Sequence, residues 1–289
     1  MLTRFFRGNM KKLGIIGGMG PLATARLFEL IVEMTKSDSD AGHIRTLIDC
    51  NPGIPDRTRA ILDGGESPVP EIVKTAKGLI TQGAEVLLLA CNTSHYYFEE
   101  IENALHEETV GMEDAGKSAG KTVHKVKLIN LIEETGKTVL EKGMTRVGVL
   151  ATRGAVEGRV FEKYLNPMGI SVITPDQNGQ EAINSVIYDA VKAGRDLSGK
   201  LADDFCKTCR ELVERGAQAL VLGCTEIPIA MQSSAEIWEV GISPKCGVGD
   251  QTFGTNTSPS ERLSELTFID TIEVLARSGI REAGYSLVE

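Results

Sequence analysis

Two cysteines sit in matched surroundings. Gly83–Tyr97 reads GAEVLLLACNTSHYY, and Gly216–Met231 reads GAQALVLGCTEIPIAM. Cys91 and Cys224 each follow the opening glycine by eight residues, at the end of an apolar run and before a threonine-bearing polar turn. At a junction of strand and helix, backbone N–H groups point outward and the positive end of the helix dipole favours a thiolate. One such cysteine alone reads most simply as a small inert apolar residue. Two at equivalent positions point to chemistry.

Three kinds of chemistry use a cysteine pair. A redox disulfide wants both sulfurs within bonding distance, and commonly close in sequence. Zinc wants several further His or Cys at ligand spacing, and beyond the single His95 after Cys91 the flanking residues supply none. Acid–base work on a carbon acid wants one thiolate to remove a proton from one face and an opposing thiol to deliver a proton to the other. Thiol pKa values near ~8.5 make both forms accessible near neutrality. A carbanion formed beside a carboxylate becomes enediolate-like and needs donors at its oxygens. Strand-end N–H groups with Asn92, Thr93 and Thr225 can supply them.

The elements that must hold these residues repeat as well. Lys12–Ala23 (KLGIIGGMGPLA) echoes Arg146–Val156 (RVGVLATRGAV), a short strand before a glycine-containing turn. Gly14 precedes Cys91 by 77 residues, and Gly148 precedes Cys224 by 76. The near-constant register predicts two related halves, each offering one cysteine from a strand end. Strands are expected at Leu13–Ile16, Ile44–Asp49, Glu85–Ala90, Arg146–Leu150, Ile170–Thr174, before Cys224, and at Leu266–Ile269. Helices are expected at Leu22–Lys36, Pro70–Thr81, Ser94–His106, Ile129–Glu141, Ala155–Leu165, Gln180–Ala193, Leu201–Glu214 and Thr271–Ala283.

Such alternation indicates an α/β fold of two related domains, each a mostly parallel sheet flanked by helices. A pseudo-twofold with the active site between the halves follows as the expected arrangement, with catalytic loops at the carboxyl ends of the strands. The first half is expected over residues 1–112 and 265–289, its final helix packing back on it. The second is expected over 113–264, including a long loop at 233–264. The polar stretch 107–125 reads as the linker.

The composition narrows the function classes. A hydrophobic fraction of 42% with 25% charged residues suits a soluble globular protein, and only 5% aromatics leaves aliphatic side chains to fill the core. A net charge of −9 argues against a nucleic-acid surface. Six cysteines in 289 residues do not make a disulfide scaffold. No apolar run approaches the ~18 residues of a membrane span. Met1–Asn9 lacks the apolar core of a secretory signal and reads as a short tail, so a cytoplasmic location is expected.

At this point a resemblance becomes visible. CNTSH around Cys91 and GCTEI around Cys224 resemble the two motifs of the aspartate/glutamate racemase family, cofactor-independent enzymes with paired catalytic cysteines. GIIGGMGPLAT, NPGIPDRT, GVLATRGAVE and FIDTIEVLA resemble its other landmarks, so the likeness covers most of the chain. It is closer to the aspartate racemase branch, because the glutamate racemase branch usually shows histidine where this chain has Glu226. The resemblance implies an acidic amino-acid racemase, most closely an aspartate racemase, with Cys91 and Cys224 as catalytic thiols. It also implies substrate contacts at Met19, Arg57, Asn92, Thr93, Ser94, Lys192, Thr225 and Glu226. Neither metal, pyridoxal phosphate nor other cofactor is implied. The expected partners are a small amino-acid substrate and a second copy in a homodimer, with no nucleic acid and no membrane.

Competing readings stand beside these. Arg57 also fits a helix-start salt bridge, although an arginine just after a Pro/Gly loop suits a bidentate carboxylate contact. Lys192 also fits a solvated helix face. His95 can tune Cys91 or its helix, or simply cap and pack. GIIGGMGP lacks the full GxGxxG spacing and reads as a pocket-floor loop. Cys206-Lys207-Thr208-Cys209 is a CxxC inside an expected helix, which favours a structural role. The stretches 107–125 and 233–264 exceed the corresponding family connections. The alternatives to aspartate racemisation are broad-specificity or glutamate racemisation, a decarboxylase or isomerase working through an enediolate, a non-catalytic amino-acid-binding protein, and a nucleotide-dependent oxidoreductase.

Overall fold

The computed structural model describes residues 10–115, 126–233 and 267–288. Strands β1 (Leu13–Gly17), β2 (Thr46–Cys50), β3 (Val86–Leu89) and β4 (Lys127–Ile129) form one parallel sheet in the order β2-β1-β3-β4. Strands β5 (Arg146–Leu150), β6 (Ser171–Ile173), β7 (Ala219–Leu222) and β8 (Thr267–Asp270) form a second in the order β6-β5-β7-β8, also parallel. The two halves therefore share one topology, as the spacing of their landmarks predicts. The central strands LGIIG, VLLL and ALVL are buried throughout, which is why they read as unbroken apolar runs rather than alternations. Each of the two cysteine-bearing strands is preceded by a glycine in the left-handed region, Gly83 at φ 95° and Gly216 at φ 94°, a conformation that only glycine adopts without steric cost.

Helices α1 (Pro21–Met34), α2 (Arg57–Leu62), α3 (Val69–Thr81) and α4 (Phe98–Ala115) accompany the first sheet in sequence. Next come α5 (Leu131–Glu141), α6 (Arg153–Glu157), α7 (Val160–Leu165), α8 (Gln177–Ser185), α9 (Gly199–Glu214), α10 (Ile227–Ser233) and α11 (Thr271–Glu282). Pro21 opens α1, where its missing N–H costs nothing, and Ala23, Leu27, Leu30 and Ile31 bury the face spaced three and four residues apart.

The chain divides into two compact units. One takes Met1–Asp56, Gly65–Leu131 and Ile272–Glu289, and the other Arg57–Gly64 and Ile132–Thr271. These limits differ from the boundaries expected at 112/113 and 264/265. The reason is strand pairing: β4 hydrogen-bonds to β3, and β8 to β7. Each crossing helix then packs in the other unit. Gly136 of α5 lies against Leu165 and Met168, and Gly279 of α11 against Leu88. Helix α2 belongs to the second unit although it follows β2.

Other differences are local. Helix α4 runs to Ala115, through part of the expected linker, in keeping with the helix propensity of its Glu, Met and Ala residues. The expected helix from Ile129 begins instead with strand β4, too short to show a period. The expected helix Ala155–Leu165 is two helices, broken at Gly158 and at Arg159, whose φ is 52°. The long helix expected at Gln180–Ala193 is α8 followed by a π-helical turn, Val186–Val191. The expected tail, residues 116–125 of the linker and residues 234–264 of the long loop lie outside the described residues. Among the described residues, no helix is long and apolar enough to cross a membrane.

Candidate active site

In each sheet the chain passes from its first strand to an edge strand, then returns to the other side. The carboxyl ends of β1 and β3, and of β5 and β7, are thus topological switch points, where diverging loops leave a crevice. Cys91 and Cys224 follow β3 and β7 at these points.

In the first unit, the loop after β1 is Gly18-Met19-Gly20. Gly18 has φ 93°, and a Cβ there would stand 2.3 Å from the Asn51 carbonyl carbon, so only glycine fits. Its N–H donates to Thr24 Oγ1 at 2.9 Å, and that hydroxyl donates to the Gly20 carbonyl at 3.0 Å. The Ser94 hydroxyl donates to the Met19 sulfur at 3.3 Å, joining the loops after β1 and β3. Beyond Cys91, the chain enters a 3-10 turn at Thr93–Tyr97 that leads into α4. Cys91, Asn92, Thr93, Ser94 and His95 are all buried.

His95 is bonded at both ring nitrogens. The Leu131 N–H donates to Nε2 at 3.0 Å, so that nitrogen carries no proton. Nδ1 therefore carries it and donates to the Cys91 carbonyl at 2.8 Å. Complete burial disfavours the imidazolium and lowers the pKa to about 4, so the ring is neutral near pH 7.

In the second unit, the Gly223 N–H donates to the Leu150 carbonyl at 2.7 Å and seats Cys224 beside the end of β5. The Cys224 thiol donates to Glu226 Oε2 at 3.0 Å, and the Thr225 hydroxyl donates to the same oxygen at 2.9 Å. All three residues are buried. Burial, and next the Glu226 charge, push the Cys224 thiol well above its ordinary value, while the Lys192 ammonium pulls the other way. Lys192 is exposed and ends the π-helical turn, its Nζ 4.7 Å from the centroid of the Tyr188 ring. The Tyr188 and Thr58 hydroxyl oxygens lie 3.4 Å apart, which ties this turn to α2 beside Arg57. Gly154 of α6 gives Thr58 room, since a Cβ there would stand 2.8 Å from the Thr58 Cα.

The candidate residues thus fall into two sets. Met19, Asn92, Thr93 and Ser94 gather around Cys91, and Arg57, Lys192, Thr225 and Glu226 belong with Cys224. Glu226 receives both the Thr225 hydroxyl and the Cys224 thiol, so these three side chains form one hydrogen-bonded group. Tyr188 was no sequence candidate; its only signal is its place four residues before Lys192, on the same helical face. Cys206 and Cys209 lie in the apolar core of the second unit with Phe205 and Leu212, and burial raises the Cys209 thiol. Among the described residues, no group of three or more His, Cys, Asp or Glu is arranged to hold a metal ion.

Known proteins share this construction. Residues 16–242 match the family model described as Asp/Glu/Hydantoin racemase. The broad specificity amino-acid racemase RacX of Bacillus subtilis is 26% identical over 228 residues, covering 74% of this chain and 85% of the relative. Glutamate racemase from Pseudomonas entomophila is 26% identical over 214 residues, 69% of this chain and 71% of the relative. Among solved structures, the Picrophilus torridus aspartate racemase is 28% identical, with 96% of both chains covered and a TM-score of 0.65. An aspartate racemase homologue from Pyrococcus horikoshii, 20% identical, shares the fold at a TM-score of 0.65 over 95% of this chain and 99% of its own. A match across most of the chain that takes in both strand-end cysteines, together with the paired parallel sheets, means that this chain belongs to the Asp/Glu/hydantoin racemase family.

Proposed function

We propose that the protein is a cofactor-independent racemase of an acidic amino acid, aspartate foremost, with Cys91 and Cys224 as its two bases. The observation that carries this reading is the pair of buried thiols at equivalent strand ends of two related sheets. One thiolate takes the α-hydrogen as a proton, and the C–H electron pair passes into the adjacent carboxylate. The other thiol gives its proton to the opposite face and becomes the thiolate, so the two sulfurs exchange roles with each inversion. Glu226 accepts from Cys224 and holds it as the thiol, the form that delivers a proton. With the Thr225 hydroxyl turned to Glu226, donors for the enediolate oxygens come from Asn92, Thr93 and strand-end N–H groups. Arg57 offers a planar fork and Lys192 a point charge for the carboxylates of the substrate.

A broad-specificity racemase is the second reading, favoured by the likeness to the Bacillus subtilis enzyme. Incubating protein dialysed against chelator with L-aspartate, D-aspartate, L-glutamate or L-alanine, followed by chiral chromatography, tests both. Loss of enantiomeric purity fastest for aspartate supports the first reading, and comparable rates across acidic and neutral substrates the second. Turnover only after pyridoxal phosphate is added, or none with any amino acid, would contradict both.

A further inference from the structure

The proton transfers leave one buried titratable side chain of the Cys91 loop unused. His95 lies four residues beyond Cys91, and its backbone N–H closes the intervening turn on the Asn92 carbonyl at 3.0 Å. Its ring stacks on Phe98, 5.5 Å between centroids. The two strand ends are tied down by different means. In the second unit, the Thr271 hydroxyl, at the start of α11, donates to the Leu222 carbonyl at the end of β7 at 2.9 Å. In the first unit the helix after the fourth strand starts with Leu131, whose side chain has nothing to donate. There the Leu131 N–H meets His95 Nε2, and the ring carries the link on to the Cys91 carbonyl.

We infer that His95 is the positioning residue of the Cys91 thiol: its Nδ1–H clamps the cysteine's own carbonyl and so fixes the backbone from which the sulfur projects, while Nε2, accepting from the first N–H of α5, holds the ring in the Nδ1–H tautomer. The clamp exists only in the neutral ring, since an imidazolium would turn a second N–H against the Leu131 donor. Burial secures that state. The device serves one sulfur alone, because the position four residues beyond Cys224 is Pro228. As a statement about catalysis it rests on Cys91 and Cys224 acting as the paired bases.

Two substitutions separate the ring's two bonds. In His95→Asn the side-chain amide reaches the Nδ1 position and can keep the bond to the Cys91 carbonyl. In His95→Gln the longer side chain reaches the Nε2 position and keeps only the bond to Leu131. Both are expected to lower Tm by similar amounts. The Asn variant should keep kcat within about threefold, and the Gln variant should lose on the order of tenfold or more with KM little changed. Losses of kcat that are equal in the two variants, or that follow Tm, would overturn the inference. Peptide-resolved labelling with iodoacetamide reads positioning without turnover. Cys91 should label faster in the Gln variant than in the Asn variant, with Cys224 unchanged in both; equal labelling of Cys91 would overturn it. Cys91→Ala and Cys224→Ala serve as references: wild-type turnover in either defeats the paired-thiol reading, while the labelling still decides on His95. On the unmodified protein, 15N shifts of His95 should show the Nδ1–H tautomer, and an Nε2–H tautomer would overturn the clamp whether or not either variant folds.

Discussion

In the candidate site the Cys224 thiol donates to the buried carboxylate of Glu226. That charge disfavours the thiolate, so its removal should favour it. Glu226→Gln should therefore shift the pH profile of Cys224 alkylation to lower pH, and an unchanged or raised profile would refute the contact's role. Cys91→Ala and Cys224→Ala should each abolish racemisation with the fold intact. Cys206→Ala should leave turnover near wild type, since that thiol packs in the core. The cysteines were legible in the sequence because their spacing from Gly83 and Gly216 is the same. The engagement of Thr225 with Glu226 was not, because adjacency along the chain does not reveal where a carboxylate points.

At the scale of elements, the buried neutral His95 links stability to pH. The unfolded chain protonates histidine near its ordinary 6.5 and the folded protein near about 4, so between these values the unfolded state binds more protons. Stability is therefore full above that window and falls as pH drops through it, by on the order of 3 kcal/mol for complete burial. Unfolding curves across this range should show the decline, and His95→Asn should flatten it. Gly18→Ala should destabilise by more than about 2 kcal/mol, because the new methyl meets the Asn51 backbone and the φ is left-handed. Denaturant midpoints of the variant measure this. Long amphipathic helices such as α1 and α9 were legible from their apolar spacing. Strand β4 was not, since three residues carry no period and its pairing with β3 decides the matter. The π-helical turn before Lys192 likewise leaves no trace in apolar spacing, because its extra residue is accommodated by backbone bonds such as Lys192 N–H to the Ile187 carbonyl.

At the scale of the molecule, the near-constant register of Gly14 to Cys91 and Gly148 to Cys224 announced two related halves, and both sheets have the same order. The unit limits were hidden because the fourth strand of each sheet passes into a helix that belongs to the other unit. Helix α2 hides in the same way, placing Arg57 in the Cys224 unit despite its position before the Cys91 strand. If Arg57 grips the carboxylate that distinguishes acidic substrates, Arg57→Ala should cost about 2–4 kcal/mol in kcat/KM for aspartate and much less for alanine. Equal losses would assign it to the shared α-carboxylate or to the fold.

The paired-thiol account depends most directly on where the product's α-hydrogen comes from. Protonated L-aspartate should be incubated in D2O, and the earliest D-aspartate separated and weighed by mass spectrometry. With two thiols on opposite faces, the delivering sulfur carries solvent deuterium, so D-aspartate should be deuterated at the α-carbon from the first turnover, ahead of the remaining L-aspartate. Early product that keeps its original α-hydrogen would mean that one base carries the same proton across, and Cys91 and Cys224 would not be the acid–base pair.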